Sequence, residues 1–187
     1  MPLQIKLLAE AAYLAAAAIA MSGCSMLGLG EDEIVLIEDD RPGEERWADA
    51  EAEFAAENFR QAATKYDEVE RLYPVSPYAK RAILQSAFSS YRYGDYDKSV
   101  LAAGRYLEFY PSDRQAPFAQ YIIAVSWYDQ ITDVGRDQAT TKSALQSLRQ
   151  LVNRYPDCEY AREAKIKMDL TLDHLAGKEM QVGRFYL

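Results

Sequence analysis

Arg71-Leu-Tyr-Pro-Val-Ser-Pro-Tyr-Ala79 decides the fold, because its Tyr-Pro pair recurs at Tyr110-Pro111 and at Tyr155-Pro156. The first two of these prolines are 37 residues apart and the next two are 45 residues apart. Proline lacks an N–H and disfavours helix in the preceding residue, so each copy ends a helix. The spacings are close to the period of about 34 residues in two-helix repeats. We therefore predict an all-α, tetratricopeptide-like solenoid of helical hairpins.

A second landmark repeats at the same offset. Asn58-Phe-Arg-Gln-Ala62 matches Asp95-Tyr-Asp-Lys-Ser99 across 37 residues. Asn58, and Gly94-Asp95 in the second copy, are typical of the tight turn between the two helices of a hairpin. These landmarks predict a repeat domain over residues 45–187 with about four repeats, the last incomplete. The predicted repeats span about residues 45–73, 78–110, 117–155 and 160–187.

The third repeat and the end of the chain each depart from a simple pattern. Asp133-Val-Gly-Arg-Asp-Gln-Ala-Thr-Thr-Lys142 accounts for the longer second spacing and is predicted to be an exposed loop. Val182-Gly-Arg-Phe-Tyr-Leu187 is apolar, whereas a solenoid needs a terminal repeat with a polar outer face. We expect the chain to be a fragment of a longer gene product, or a prematurely ended one, with its fourth repeat cut short.

The N-terminal residues resemble a bacterial lipoprotein signal peptide. Residues 7–21 are apolar apart from Glu10 and lead into Met21-Ser-Gly-Cys24, which is similar to a lipobox. This run is too short to span a bilayer but suits a secretory signal, predicted at residues 1–23. The resemblance implies that Cys24 carries acyl chains, several of which make a lasting anchor. Ser25, where Asp would mark inner-membrane retention, points to the periplasmic side of the outer membrane. An Ala-rich amphipathic first helix is the alternative.

Residues 24–44 are predicted to be an acidic tether between the anchor and the repeats. Its ends are rich in Glu, Asp and Gly, which favours an extended, flexible segment. A short apolar run, Ile34-Val-Leu-Ile37, interrupts it. This run either packs on the first repeat or adds a strand to the sheet edge of a partner.

Composition argues against several classes of protein. Lys and Arg number 21 against 29 Asp and Glu, a net charge of −8, so the chain lacks the basic footprint of nucleic-acid binding. His174 is the only histidine and is expected to be solvated, and Cys24 and Cys158 are far apart, so no triad or zinc constellation is evident. We predict no enzyme activity, no cofactor and no metal, with Cys158 unpaired and partly covered.

Aromatic residues predict a peptide-binding groove on the first helices of the hairpins. Placing Ala87 where two helices cross sets the register of the second repeat. Rings and arginines on one face suit an apolar or aromatic peptide with a carboxylate. In the alternative interpretation, the same rings fill the space between helices. The predicted groove residues are Trp47, Phe54, Arg81, Phe88, Tyr91, Arg92, Tyr121 and Tyr128, with Glu51 and Leu84 in the same register.

The chain resembles the BamD (ComL) family of outer-membrane assembly lipoproteins. The most specific element is the Asp133-Val-Gly-Arg-Asp-Gln138 insertion in the third repeat. Met21 and Ser99, where Leu and Ala are usual, are mild departures. Besides Cys24 and this insertion, the resemblance rests on residues 58–62, 71–79, 96–99, 129–130, 153–156 and 182–187.

The resemblance implies a non-enzymatic subunit of the β-barrel assembly (BAM) complex. Its partners would be the periplasmic domains of BamA, accessory lipoproteins of the complex and unfolded outer-membrane β-barrel proteins. In the family, the N-terminal repeats are thought to meet the targeting end of substrates, typically an aromatic residue with a free carboxylate. In the family, the C-terminal repeats are thought to dock on BamA. Alternatives are a pilotin-type lipoprotein, or a tetratricopeptide scaffold of cell division or peptidoglycan synthesis.

Overall fold

All regular structure in the described part of the chain is helical. The computed structural model describes residues 42–132 and 138–187. The predicted signal peptide, Cys24, nearly all of the tether and half of the 133–142 insertion, residues 133–137, lie outside these residues. The prediction of an all-α arrangement of helical hairpins is confirmed. The helices are α1 Gly43–Ala55, α2 Phe59–Leu72, α3 Ala79–Tyr93, α4 Tyr96–Phe109, α5 Ala116–Asp129, α6 Ala139–Arg154 and α7 Ala161–Tyr186.

The helices stack in chain order. Each helix packs against the next one, so α1 with α2, α3 with α4 and α5 with α6 form three hairpins. In addition, α3 contacts α5 and α5 contacts α7. The first helices of successive hairpins therefore lie side by side, which is the arrangement expected of a tetratricopeptide-like solenoid.

The Tyr-Pro pairs end α2, α4 and α6 with one shared geometry. The φ and ψ angles are −129° and 57° at Tyr73, −131° and 55° at Tyr110, and −134° and 61° at Tyr155. Each tyrosine N–H still donates to the carbonyl four residues earlier, and the following proline has no N–H with which to continue the helix. The next helix starts six residues after each tyrosine. The loops between hairpins thus have one fixed length.

The turns inside the first two hairpins use left-handed backbone. Gly94, with φ 90°, follows α3, and Asp95 accepts a hydrogen bond from the Lys98 N–H at 3.2 Å. In the first hairpin the positive φ, 60°, falls on Glu57. Asn58 instead donates from Nδ2 to Oε2 of Glu53 at 2.9 Å. The predicted Gly94-Asp95 turn is confirmed, whereas Asn58 acts through its side chain.

The core is built from three clusters, one at each hairpin and its neighbour. Ala87 is fully buried, as expected of a crossing point. Equivalent positions on the second helices carry different pairs of buried side chains one turn apart. These pairs are Tyr66 with Val69 in α2, Ala103 with Tyr106 in α4, and Leu148 with Leu151 in α6. In α2 and α4 a large side chain at one position is matched by a smaller one at the other, whereas α6 has a leucine at both, and each combination preserves packing density.

Tyr106 and Lys80 hold the loop between the second and third hairpins through Asp113. The Tyr106 hydroxyl donates to Asp113 Oδ1 at 2.6 Å, and Lys80 Nζ donates to Oδ2 at 2.6 Å. The Gln115 N–H adds a bond to Oδ1 at 2.9 Å. The hydrogen bonds from Lys80, Tyr106 and Gln115 lower the pKa of Asp113 to about 2.

We expect Asp113→Asn to lower stability at neutral pH and to have a smaller effect in acid. Because the pKa of Asp113 is lower in the folded chain, its carboxylate stabilises the fold above the ordinary pKa of 3.8 and loses that effect as pH falls through about 2. Urea unfolding of both proteins from pH 7 to pH 2 should show the difference narrowing below pH 4. Asp157→Asn, at an exposed site in the next loop, is the control. A constant gap between wild type and Asp113→Asn would contradict the assignment.

Two residues considered for chemistry lie in ordinary surroundings. Cys158 lies in the loop before α7 and is half-buried, as predicted, and it forms no disulfide within the described residues. His174 is half-buried rather than fully solvated, because it lies on the partly covered side of α7. Its Nδ1 has no hydrogen-bond partner among the described residues.

Candidate functional site

The predicted groove residues occupy the first helices of the hairpins but differ in exposure. Trp47 is 5% exposed and Leu84 is 4% exposed, so both belong to the core. Trp47 is covered by the rings of Tyr66 and Tyr78, at 5.2 and 5.7 Å between centroids. This corrects the expectation that they line an open face. Phe54, Phe88, Tyr91, Tyr121 and Tyr128 are half-buried, and Arg81 and Arg92 are exposed.

A continuous chain of aromatic rings crosses the first helices. Phe88 of α3 lies 5.8 Å from Phe54 of α1 and 5.6 Å from Phe118 of α5, measured between ring centroids. Phe118 lies 5.5 Å from Tyr160, which precedes α7. We call these four residues, together with Tyr91 and Tyr121, the aromatic strip. Rings from all four repeats therefore meet along one path.

Two equivalent ring stacks support the strip at its ends. Tyr78 stacks on Trp47 with planes 24° apart, and Tyr160 stacks on Tyr121 at 4.7 Å with planes 25° apart. Tyr78 and Tyr160 both lie five residues after the tyrosine of a Tyr-Pro pair. The two stacks are therefore the same structural feature in different repeats.

The two arginines near the first repeat have different surroundings. The Arg81 guanidinium lies 4.6 Å from the centre of the Trp47 ring and 3.8 Å from Oε1 of Glu51. The Arg92 guanidinium lies 4.5 Å from the centre of the Phe59 ring and 5.9 Å from that of Phe88. Within the described residues, Arg92 has no carboxylate partner. Arg92 thus combines exposure, a fixed position over rings and an uncompensated charge, which suits an incoming carboxylate.

Two tyrosine hydroxyls of the strip are bonded to carboxylates. Tyr91 donates to Oδ2 of Asp129 at 2.7 Å, and Tyr121 donates to Oε1 of Glu163 at 2.9 Å. Burial, followed by these hydrogen bonds, raises the pKa of both tyrosines. Each bond joins neighbouring first helices, α3 with α5 and α5 with α7. The hydroxyls therefore fix the spacing of the helices.

Tyr128 is held from α7. Lys167 lies 4.3 Å from the centre of the Tyr128 ring and 3.4 Å from Oε1 of Glu163. This contact covers part of the ring that was predicted to line the groove. Tyr128 contributes to packing between α5 and α7 and is not in contact with the other rings of the strip.

Sequence reasoning missed three aromatic residues at this site, namely Phe59, Phe118 and Tyr160. Tyr160 had a usable signal, because it occupies the same loop position as Tyr78 after a Tyr-Pro pair. Phe59 starts α2 and contacts the edge of Phe54 at 5.5 Å. Phe118 is equivalent to Arg81 of the preceding repeat, so the repeat pattern did not indicate an aromatic ring there.

Neither metal ligation nor membrane spanning is indicated in the described residues. Residues 42–132 and 138–187 contain no group of three or more His, Cys, Asp or Glu side chains placed to hold a metal ion. In the same part of the chain, every helix is too short or too polar to cross a bilayer. Among the described residues, the candidate functional site is therefore the aromatic strip with Arg81 and Arg92 near it.

Comparison with known proteins gives one consistent family. Residues 39–187 match the YfiO family model, described as outer membrane lipoprotein. The chain is 38% identical over 177 residues to outer membrane protein assembly factor BamD of Caulobacter vibrioides, covering 95% of this chain and 56% of that protein. It is 32% identical over 129 residues to the same-named protein of Rickettsia prowazekii, covering 69% of this chain and 51% of that protein. The chain thus spans about half the length of these relatives.

Proposed function

Because the chain belongs to the YfiO family of outer membrane lipoproteins, we propose that it is a non-enzymatic outer membrane protein assembly factor. The relatives that carry this name support the proposal through most of the length of this chain. The proposed partners are the periplasmic domains of BamA, accessory lipoproteins of the BAM complex and unfolded β-barrel proteins. The proposed location is the periplasmic side of the outer membrane, with Cys24 as the lipid-bearing residue.

The proposed task of the described repeats is to hold the targeting end of an unfolded β-barrel protein. The observation that supports it is the aromatic strip with Arg92 beside it. Phe88 contacts rings on both neighbouring first helices, so a ligand lying on the strip would touch several repeats. A substrate end with an aromatic residue and a free carboxylate matches ring contacts and an unpaired guanidinium.

In this proposal Arg92 and three residues of the strip have distinct parts. The Arg92 guanidinium receives the terminal carboxylate, and the rings of Phe54 and Phe88 provide the surface for the terminal aromatic side chain. Tyr91 supports this surface from one side, because its ring lies 6.4 Å from that of Phe88 and its hydroxyl is bonded to Asp129. Trp47 is buried beneath Arg81 and lies outside the proposed contact surface.

We expect Arg92→Gln to weaken binding of a peptide with a free aromatic C-terminus by about tenfold or more, since a hydrogen bond to a charged group contributes about 1.5–3 kcal/mol. Binding of the same peptide with an amidated C-terminus should be nearly unaffected. Fluorescence anisotropy with a labelled peptide measures both. Arg81→Gln is the matched control, because Arg81 already lies beside Glu51.

The double variant Tyr91→Ala with Arg92→Ala removes both the support and the charge. Its binding to the free-carboxylate peptide should fall further than that of Arg92→Gln. Unchanged binding by this double variant, with the fold intact by circular dichroism, would exclude the strip as the peptide site.

A further inference from the structure

A second surface of the chain has a different chemistry from the strip. Helix α6 contains three cationic residues, Lys142, Arg149 and Arg154, and no acidic residue, in a chain with a net charge of −8. Its buried face is formed by small and apolar side chains such as Leu148 and Leu151. Every charge that α6 exposes is therefore positive.

The cationic residues share one exposed stripe with side-chain amides. The stripe, which we call the α6 face, consists of exposed residues spaced three, four or seven apart, as on one side of a helix. From Lys142 to Asn153 it is about 17 Å long, at 1.5 Å per residue. Its members are Lys142, Gln146, Arg149, Gln150, Asn153 and Arg154.

The charges of the α6 face lack compensation within the described residues. The side chains of Lys142 and Arg149 have neither a hydrogen bond nor an ion pair there, and the only bond of Lys142 outside the helix ladder runs from its backbone N–H to the carbonyl of Gln138. Arg154 donates to the neutral carbonyl of Pro111 at 3.2 Å and lies over the ring of Tyr155. By contrast, Lys65, Lys80 and Lys98 on other helices each lie within 2.7 Å of a carboxylate oxygen.

The shape of the face is also continuous. One shallow depression is lined by Lys142, Gln146 and Arg149 and extends to Gln150 and Asn153. A second depression, toward α5, is lined by Gln150, Asn153 and Arg154 together with Gln120. Gln150 and Asn153 belong to both. A ligand could therefore follow the helix without interruption.

We propose that the α6 face binds an extended, acidic segment of a partner protein. Cations spaced along the face can pair with carboxylates, and amides between them can both donate to and accept from a peptide backbone. At about 3.4 Å per residue, a 17 Å face accommodates about five residues of extended chain.

Chemistry favours a peptide over a lipid surface at the α6 face. A helix that lies on a membrane presents apolar side chains beside its cations. Here the apolar lining residue Leu145 is only 8% exposed, and the remaining side chains of the face are polar. The proposal concerns a surface separate from the aromatic strip, so it does not depend on the proposed function.

The test uses the full chain and a fluorescein-labelled peptide of alternating glutamate and serine. Fluorescence anisotropy at low ionic strength should show saturable binding that weakens as salt is added, since exposed charges are screened. Lys142→Glu with Arg149→Glu should weaken this binding by about tenfold or more, because two attractive contacts become repulsive. Arg162→Glu with Lys165→Glu, at exposed sites on α7, makes the same change in net charge and should have little effect.

Further variants separate the α6 face from general electrostatics. Gln150→Ala with Asn153→Ala should weaken binding without any change in charge. Equal losses in both charge-reversal variants, or no saturable binding by the wild type, would overturn the proposal. Binding to phosphatidylglycerol vesicles that is lost on Lys142→Glu with Arg149→Glu, while peptide binding is retained, would assign the face to lipid instead.

Discussion

Replacing Tyr106 by alanine is expected to lower the free energy of unfolding by about 3–5 kcal/mol, the usual cost of removing a large buried aromatic side chain. Tyr106 is fully buried in α4, at the centre of the core shared by the second and third repeats. Its ring lies 5.4 Å from that of Tyr110, and its hydroxyl bonds to Asp113. The substitution would leave a cavity and release the loop before α5. Urea unfolding followed by circular dichroism measures the loss.

A milder substitution at the same site separates the ring from the hydroxyl. Tyr106→Phe keeps the ring and removes only the bond to Asp113, so it should cost about 1–2 kcal/mol. Phe109→Ala, at an exposed site on the same helix, controls for loss of an aromatic residue that is not in the core. Equal stability of Tyr106→Ala and Phe109→Ala would contradict the assignment of Tyr106 to the core.

The helical hairpins and the Gly94-Asp95 turn could be predicted because they depend on local chemistry. Proline after Tyr73, Tyr110 and Tyr155 ends a helix whatever surrounds it, and glycine at position 94 permits the left-handed turn. Because the landmarks recur at a shared offset, an assignment made in one hairpin could also be made in the next. Ala87 was also predictable, since only a small residue fits where two helices cross.

The site was less predictable because the exposure of each side chain depends on neighbouring residues in other repeats. Trp47 and Leu84 share the register of an open face, but Tyr78 from the following loop covers Trp47. The bonds from Tyr91 to Asp129 and from Tyr121 to Glu163 join residues 38 and 42 positions apart. Periodicity shows that two helices are neighbours, but it does not show which hydroxyl reaches which carboxylate.

The second large effect concerns the paired core positions of the second helices. Ala103→Tyr should destabilise the chain by about 3 kcal/mol, because it inserts a ring one turn from Tyr106 in a filled core. Tyr106→Val alone should cost a similar amount by leaving a cavity. The double variant, Ala103→Tyr with Tyr106→Val, reproduces in α4 the Tyr66 and Val69 pair of α2.

The large residue stands at the first position of the pair in α2 and at the second in α4. If the two positions fill one shared space, the new ring in the double variant occupies the volume that Tyr106 vacates. Its loss of stability should then be smaller than the sum of the single losses by more than about 1 kcal/mol, a coupling typical of residues in contact. Recovery should be incomplete, because the bond from the Tyr106 hydroxyl to Asp113 is lost. Ala103→Tyr combined with Leu148→Ala, in a different core cluster, should be additive. Additivity in the first pair as well would show that the two positions are filled independently, and that the alternation of large and small residues among the repeats does not reflect shared volume.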